Sequence, residues 1–397
     1  MKGPSPRRLW KYLVRCLRLQ SYLESPGEGR TSPQIPARVL LWALLLGRVL
    51  REYSFHAVEA LVGSSARRAL QVETAFGDDV LSYFTERLPA APTRAALAVA
   101  LRRAKRLKAF DGSPFIGLAV DGTTVGRCHQ STCKLCRPHH NAAGQITGYR
   151  HHLALIRVVG TGLTLPCDVE PYGPGESEYG AAQILLRRAV NALGPRFADY
   201  VVVDGEFATA PFLHAVGDLH LRVVARLKGN LPELFQAAQK RLQGQPLRRC
   251  FWEGRDRVEV WDADDFDPWD RLRWKTVRVI RYRQYKPDGT VCEAFWLTDF
   301  PTRQLSSRSL FRLAKSRWEI ENQGFNDAKN RYGLEHICHH QANSLLLVWL
   351  ITCLALTIER LYRLRHLHRG THPVHSAIEL LRLLRLSLGR PLHLDSS

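Results

Sequence analysis

Short apolar segments alternate with helix-forming segments between residues 113 and 228, and this order constrains the fold more than any other feature. The segments are strand-like at 114–120, 152–159 and 163–169, helical at 179–193, strand-like at 200–203, helical at 208–216 and strand-like at 221–227. Short strands without polar alternation are buried on both faces, and the helices between them supply the cover. The order βββ-α-β-α-β therefore predicts an α/β domain whose sheet is covered on both sides.

The charge of the chain favours nucleic acid as a partner. Lys and Arg number 57 against 37 Asp and Glu, so the formal net charge is +20. These basic residues are spread from Arg7 to Arg390 rather than concentrated in one amphipathic helix, which disfavours a membrane surface. The apolar segments 39–46 and 344–358 are shorter than the ~20 residues of a membrane span, and 344–358 is interpreted as a core helix. Nine cysteines, an odd number, disfavour a disulfide framework and predict an intracellular chain.

Two aspartates, Asp121 and Asp204, each follow a buried apolar segment and precede a glycine. Functional residues of α/β sheets gather at strand ends, and two carboxylates there repel each other unless a divalent cation is bound. A third carboxylate, Glu321, shares a helix face with Arg317, whereas Glu319 points about 160° away. Such a trio suits two Mg²⁺ or Mn²⁺ ions and phosphodiester chemistry. The alternative is that each Asp-Gly pair only forms a turn.

Three motifs resemble those of the DDE insertion-sequence transposases, which have a ribonuclease-H-like fold. They are Val120-Asp121-Gly122-Thr123-Thr124, Val201-Val202-Val203-Asp204-Gly205 and Arg317-Trp318-Glu319-Ile320-Glu321-Asn322. The last is similar to the family's Arg-Trp-x-Ile-Glu signature, and the run on to Tyr332-Gly333-Leu334-Glu335-His336 resembles one of its subgroups. The resemblance covers roughly residues 113–360 and implies a ribonuclease-H-like mixed sheet.

The resemblance also implies an activity, namely metal-dependent cleavage at transposon ends followed by transfer of the 3′-hydroxyls into target DNA. The family's metal ligands correspond to Asp121, Asp204 and Glu321. Arg317 takes a supporting role at the site or on DNA. The family's Lys seven residues after the Glu is replaced by Ala328, so Lys329 is the candidate contact to the transposon-end phosphate.

Two other functions remain open from the residues alone. One is a former transposase that binds DNA without cutting it, and the other is a nuclease of the same fold without strand transfer. For the transposase, the expected partners are the terminal repeats and the target DNA, with the chain acting as a homodimer on paired ends. The expected location is the bacterial cytoplasm, in association with the nucleoid and not with a membrane.

The resemblance gives each region of the chain an expected role. Residues 1–110 carry apolar positions at helical spacing and are expected to form a helical N-terminal region for DNA binding or assembly. A Lys286-Pro287-Asp288-Gly289 turn between strand-like segments indicates a β-rich insertion. The expected order is the N-terminal region 1–110, the first part of the catalytic domain 113–228, the insertion 229–305, catalytic-domain helices 306–366 (long helices at 307–331 and 341–366) and a basic tail 367–397.

A cluster of cysteines and histidines lies between the first two strands of the catalytic region. Cys128, Cys133, Cys136 and His139 have a spacing that could hold a tetrahedral Zn²⁺, which would brace a loop beside the active site. The fourth ligand is ambiguous, because His140, His129, His151 and His152 are also near in sequence. A reduced loop without metal is the alternative. The cluster lacks the second Cys/His pair of a standard zinc finger.

Other residues near the trio have two interpretations each. Arg226 and Lys228 leave a strand and could grip DNA or lie on a solvated surface. Trp296 could stack on a flipped base or belong to the core. Glu176 and Glu178 precede a helix, where capping and the helix dipole explain acidic residues without catalysis, and the alternative is an approach to the metal site.

Overall fold

A ten-stranded mixed sheet runs through the computed structural model, which describes residues 3–70, 72–368 and 373–389. Its strands are β1 (Gly117–Cys128), β2 (Arg137–His140), β3 (Ile146–Val159), β4 (Leu165–Pro171), β5 (Tyr200–Val203), β6 (Arg222–Leu227), β7 (Arg249–Glu253), β8 (Asp256–Phe266), β9 (Val277–Tyr285) and β10 (Val291–Thr298). Across the sheet the order is β2-β3-β1-β5-β6-β10-β9-β8-β7, and β4 also pairs with β3.

Five of these strands form the arrangement that the resemblance implies. Strand β3 is antiparallel to both β4 and β1, whereas β1, β5 and β6 are parallel neighbours. Strand β5 is buried along its whole length, as expected for a central strand covered on both faces. The order β4-β3-β1-β5-β6 is that of a ribonuclease-H-like sheet, so the predicted fold class is confirmed.

Helices lie on both sides of the sheet and at both ends of the chain. In the described residues they are α1 (Pro6–Arg15), α2 (Gln20–Glu24), α3 (Ala37–Leu50), α4 (Phe55–Gly63), α5 (Arg67–Leu70), α6 (Asp78–Arg87), α7 (Ala90–Arg106), α8 (Glu178–Leu193), α9 (Ala210–Asp218), α10 (Pro232–Gly244), α11 (Ser307–Lys315), α12 (Asn326–Tyr332), α13 (Ala342–Leu361) and α14 (Ala377–Ser387). Helix α8 packs on β1, β3 and β4. Helix α13 packs on β4 and also contacts helices α3, α6 and α7.

Helix α13 is apolar on all sides because protein surrounds it. With the π-helical segment Tyr362–Leu367 that continues it, the helix is long and apolar enough to cross a membrane, yet nearly all of its most apolar stretch is buried. A helix that is hydrophobic all round is either buried in a large core or membrane-spanning. Its burial agrees with the interpretation as a core helix.

Strands β7 to β10 extend the same sheet instead of forming a separate layer. Strand β10 pairs antiparallel with β6, where Trp296 lies opposite Arg226. Helix α10 opens this region and packs on β8. The sequence analysis assigned only strands here, so α10 is an addition to the predicted insertion.

The helix expected over 307–331 is interrupted in the structure. Helix α11 ends at Lys315 and a turn follows at 316–317. The chain is helical again at 318–319, continues as a π-helical segment (Ile320–Phe325) and resumes as α12. Single π-helical turns inside helices often occur at functional sites. The interruption lies at the Arg-Trp-x-Ile-Glu signature itself, whose last residue, Glu321, is in the π-helical segment.

Candidate active site

Asp121 and Asp204 occupy matching places on two parallel strands. Strand β1 pairs with β5 only as far as Ala119 and Val202, and each aspartate follows two residues later. Asp204 comes directly after β5, at the start of a 3₁₀ turn. The expectation that Asp121 also follows its strand is wrong, because β1 continues to Cys128 in pairing with β3. At Asp121, β1 is therefore still paired with β3 but is no longer paired with β5.

The guanidinium of Arg317 joins two of the carboxylates and lies in the field of the third. Its Nη1 is 3.1 Å from Asp121 Oδ2, and its Nη2 is 2.5 Å from Glu321 Oε1. Burial opposes the positive charge, but Asp121, Glu321 and Asp204 together raise the pKa of Arg317. The structure thus joins Asp121 and Glu321 through one cation and places Asp204 at the matching position of the neighbouring strand, where its charge acts on the same cation.

The turns before the π-helical segment set which carboxylate faces the site. The Ser316 hydroxyl lies 2.9 Å from the Tyr200 hydroxyl in the core, and Ile320 is fully buried. Glu319 points the other way, since its Oε2 accepts hydrogen bonds from the Gly160 backbone N–H at 3.1 Å and from Thr164 Oγ1 at 2.9 Å. Glu321 is left on the side of Arg317, and its side chain is 43% exposed and open to a ligand.

Burial sets the protonation behaviour of Asp121. Desolvation raises the pKa of its carboxyl to about 6, with Glu178 and Glu321 adding to the rise and Arg317 opposing it. Asp204 behaves differently. It is also partly buried, but an ion pair of 2.9 Å with Lys228 Nζ lowers its pKa. The surroundings therefore disfavour the ionised form of Asp121 and favour that of Asp204.

A fourth carboxylate, Glu178, lies beside Asp121. Its Oε1 accepts a 2.9 Å hydrogen bond from the backbone N–H of Gly122, and its Oε2 lies 3.3 Å from the Tyr172 hydroxyl. A Cβ at Gly122 would lie 2.2 Å from Glu178 Oε2, so only glycine leaves room for this carboxylate. Capping of α8 belongs to Ser177, whose hydroxyl accepts from the Gly180 N–H. The sequence analysis favoured capping for Glu178 over an approach to the metal site, and Gly122, which leaves room for the carboxylate, was the available signal.

The basic candidates lie at different places around the trio. Lys228 contacts Asp204 as described, and Arg226 lies over the buried Trp296 ring at 5.5 Å. Trp296 is 1% exposed, which supports its interpretation as a core residue. Lys329 Nζ donates to the Thr124 carbonyl at 2.8 Å and pairs with Glu335 at 3.0 Å, so it lies along β1 from Asp121.

The cysteine cluster gathers, but with a different histidine. Cys128, Cys133 and Cys136 lie close to His151 on β3 and to His340, which precedes α13. His139 lies on β2 with its side chain exposed. The expected fourth ligand, His139, is therefore corrected to His151. This residue pairs with Val125 of β1, and its ring lies beside the loop that carries Cys133 and Cys136.

Comparison with known proteins places this site in a family. The sequence model of the transposase DDE domain matches residues 112–358, which is more than half of the chain and includes Asp121, Asp204 and Glu321. Among solved structures, the chain is similar to the piggyBac transposase in its cryo-EM synaptic complex with hairpin DNA, at 12% identity and a TM-score of 0.49 over 98% of this chain and 82% of that chain. No curated protein sequence matches significantly. The chain belongs to the transposase DDE domain family, whose enzymes cleave DNA and transfer strands with divalent metal ions.

Proposed function

We propose that the protein is a cut-and-paste transposase of the Arg-Trp-x-Ile-Glu subgroup, with Asp121, Asp204 and Glu321 as ligands of two Mg²⁺ or Mn²⁺ ions. The observation that carries the proposal is the convergence of the three carboxylates on Arg317. A donor set made of carboxylate oxygens fits hard divalent cations. When bound, the ions would lower the pKa of the attacking water or 3′-hydroxyl and stabilise the leaving oxygen.

The chain's own residues prepare this site in three ways. Arg317 neutralises Asp121 and Glu321 and holds them within reach of each other. Lys228 orients Asp204 through its ion pair. Glu178 fixes the backbone at Gly122, next to Asp121.

DNA contacts are proposed for the basic residues that border the trio. They are Arg226, Lys228, Arg317 and Lys329. Lys228 has a side chain that is 52% exposed, so it can reach a phosphate while it stays close to Asp204. The net charge of +20 supports binding of transposon ends and target DNA by electrostatic attraction. A homodimer on paired ends, with the helical region 1–110 used for DNA binding or assembly, completes the proposal, and its place is the bacterial nucleoid.

A mobilisation assay with purified-protein follow-up tests the function. The gene and its native flanking DNA are placed on a donor plasmid, and movement is compared for the wild type, Glu321→Gln and the control Glu233→Gln, which changes an exposed carboxylate on α10. We expect movement in the wild type and the control, and none in Glu321→Gln.

The follow-up separates the alternatives. With Mn²⁺ and end DNA, joined strands support the transposase, and cut but unjoined strands would support a nuclease. End binding without cutting by the wild type would support a DNA-binding protein instead.

A further inference from the structure

We propose that the chain binds one structural Zn²⁺ through Cys128, Cys133, Cys136 and His151. The site is separate from the carboxylate trio, and the proposal does not depend on the proposed function. Three thiolates and one imidazole form a ligand set typical of closed, structural zinc sites.

Three of the distances between the ligand atoms match the edges of a tetrahedron. Zn–S bonds of about 2.3 Å and Zn–N bonds of about 2.05 Å give tetrahedral edges of about 3.8 Å between sulfurs and about 3.6 Å between sulfur and nitrogen. The Cys133 and Cys136 sulfurs are 3.7 Å apart, and His151 Nε2 lies 3.5 Å from Cys136 Sγ and 3.2 Å from Cys133 Sγ. The Cys128 sulfur lies within 4.8 Å of the ligand atoms of Cys136 and His151.

The backbone holds these ligands in place before any ion binds. Cys133 and Cys136 belong to one turn, in which the Cys136 N–H donates to the Cys133 carbonyl at 3.0 Å. Cys128 is the last residue of β1, and His151 lies on β3, fully buried. The Nδ1 atom of His151 is buried without a hydrogen-bond partner, so Nε2, which faces the sulfurs, makes the polar contacts of the ring.

A thiol pair that acts in redox chemistry explains less of this geometry. All nine cysteines are free, and a CxxC pair alone needs neither a third thiol nor a buried imidazole. His340 is the rival to Cys133, because its ring nitrogen and the ligand atoms of Cys128, Cys136 and His151 all lie within 4.8 Å of one another. Its Nδ1, however, is 2.7 Å from Thr132 Oγ1, whereas Cys133 Sγ lies at tetrahedral distances from Cys136 and His151. We therefore place His340 outside the ligand set, as a neighbour that covers the site.

The zinc site would fasten the end of β1 to β3 and to the turn that carries Cys133 and Cys136. Strand β1 bulges at Gly126, whose φ of 63° and whose contact with Ile337 both require glycine. His340, three residues after Ile337, then reaches Cys128 and Thr132. A bound ion would hold the end of β1, which leads back to Asp121, against β3, and His340 from the chain after α12 would cover the site.

The test measures zinc in the full-length protein, without reference to transposition. Protein purified in buffers free of added metal is analysed by mass spectrometry for zinc and for protein concentration. We expect one zinc per chain in the wild type, in His139→Ala and in Cys250→Ser, which alters an exposed thiol on β7. Cys133→Ser and His151→Ala are expected to lose most of the zinc, and His340→Ala to keep it.

Two outcomes would overturn the proposal. A wild type that holds less than a tenth of an equivalent after incubation with Zn²⁺ would exclude the site, and loss of zinc in His340→Ala with retention in Cys133→Ser would overturn the ligand set. Because a ligand variant could fail to fold, the wild type is also tested with Co²⁺. The expected visible and thiolate charge-transfer bands of tetrahedral Co²⁺ disappear when Zn²⁺ is added.

Discussion

Glu178 Oε1 accepts a 2.9 Å hydrogen bond from the backbone N–H of Gly122, the residue that follows Asp121. The bond ties the start of α8 to the part of β1 that carries Asp121, a proposed metal ligand. Glu178→Ala removes the acceptor, so the backbone next to Asp121 loses its anchor. We expect single-turnover cleavage to fall about 10–100-fold, as for residues that orient metal ligands, while end binding stays within a factor of two or so.

A matched control for this variant lies two residues away. Glu176 also accepts a hydrogen bond from a backbone N–H, that of Gly173 at 2.6 Å, but on the loop before α8. Glu176→Ala is expected to cleave like the wild type. Equal losses in both variants would show that the loop, and not the anchor at Gly122, matters for cleavage.

Gly122→Ala should reproduce the Glu178 defect. The added Cβ would lie 2.2 Å from Glu178 Oε2 and 2.3 Å from its Cδ, so the carboxylate has to leave. Because both changes break one interaction, the double variant should cleave no more slowly than either single variant. Gly217→Ala, where a Cβ meets nothing within 4 Å, is the control and should be neutral. Additive losses in the double variant would contradict a shared cause.

The sequence predicted the five-stranded sheet and the carboxylate trio because both leave local signals. Apolar segments of strand length mark β1, β5 and β6, and an Asp-Gly pair follows the apolar segments of β1 and β5. The local signals for Glu178 and His151 are weaker, because Gly122 is the only one for the first residue and the second is one of several histidines near the cysteines. Each comes to its site through pairing between segments far apart in sequence, and spacing alone made His139 look like the better ligand.

The break in the Glu321 helix was also beyond a pattern of apolar positions. Residues 307–331 have helical spacing throughout, and the π-helical segment keeps Ile320 buried just as an α-helix would. The end of β1 was missed for a related reason. Its continuous run of buried residues stops at Val120, whereas its pairing with β3 goes on to Cys128 through mostly half-exposed residues.

Metal binding should weaken as the pH falls through about 6. Burial raises the pKa of Asp121 to about 6, so its carboxyl is protonated below that pH and cannot act as a ligand without losing the proton. Asp204, whose pKa is lowered, stays ionised over the same range. Calorimetric titration of Mn²⁺ from pH 5 to 8 should show an affinity that is constant above 7 and falls by up to about tenfold per unit below 6. An affinity that stays constant down to pH 5 would contradict the raised pKa.

The same raised pKa predicts a stabilising substitution. Between the ordinary range of Asp and about pH 6 the folded protein binds more protons at Asp121 than the unfolded chain, so stability falls as the pH rises through this window. With a chelator present at pH 7.5, the free energy of unfolding of Asp121→Asn should therefore exceed that of the wild type by about 2 kcal/mol, and its thermal midpoint should be higher. The difference should be smaller at pH 5. The exposed Asp111→Asn is the control. A destabilised Asp121→Asn at pH 7.5 would show that the ion pair with Arg317 outweighs desolvation.

Arg317→Ala should bind divalent ions more tightly and cleave DNA more slowly. The guanidinium and an ion compete for the same oxygens of Asp121 and Glu321, and its positive charge repels the ion, so its removal favours binding. We expect Mn²⁺ affinity to rise about tenfold, which is about 1.4 kcal/mol, and the Mn²⁺-dependent gain in thermal midpoint to exceed that of the wild type. Cleavage should fall because nothing then holds Glu321 toward Asp121.

The control is Arg312→Ala, which removes an exposed ion pair with Glu253 away from the trio. Weaker Mn²⁺ binding in Arg317→Ala would mean that Arg317 chiefly arranges the carboxylates for the ion rather than competing with it.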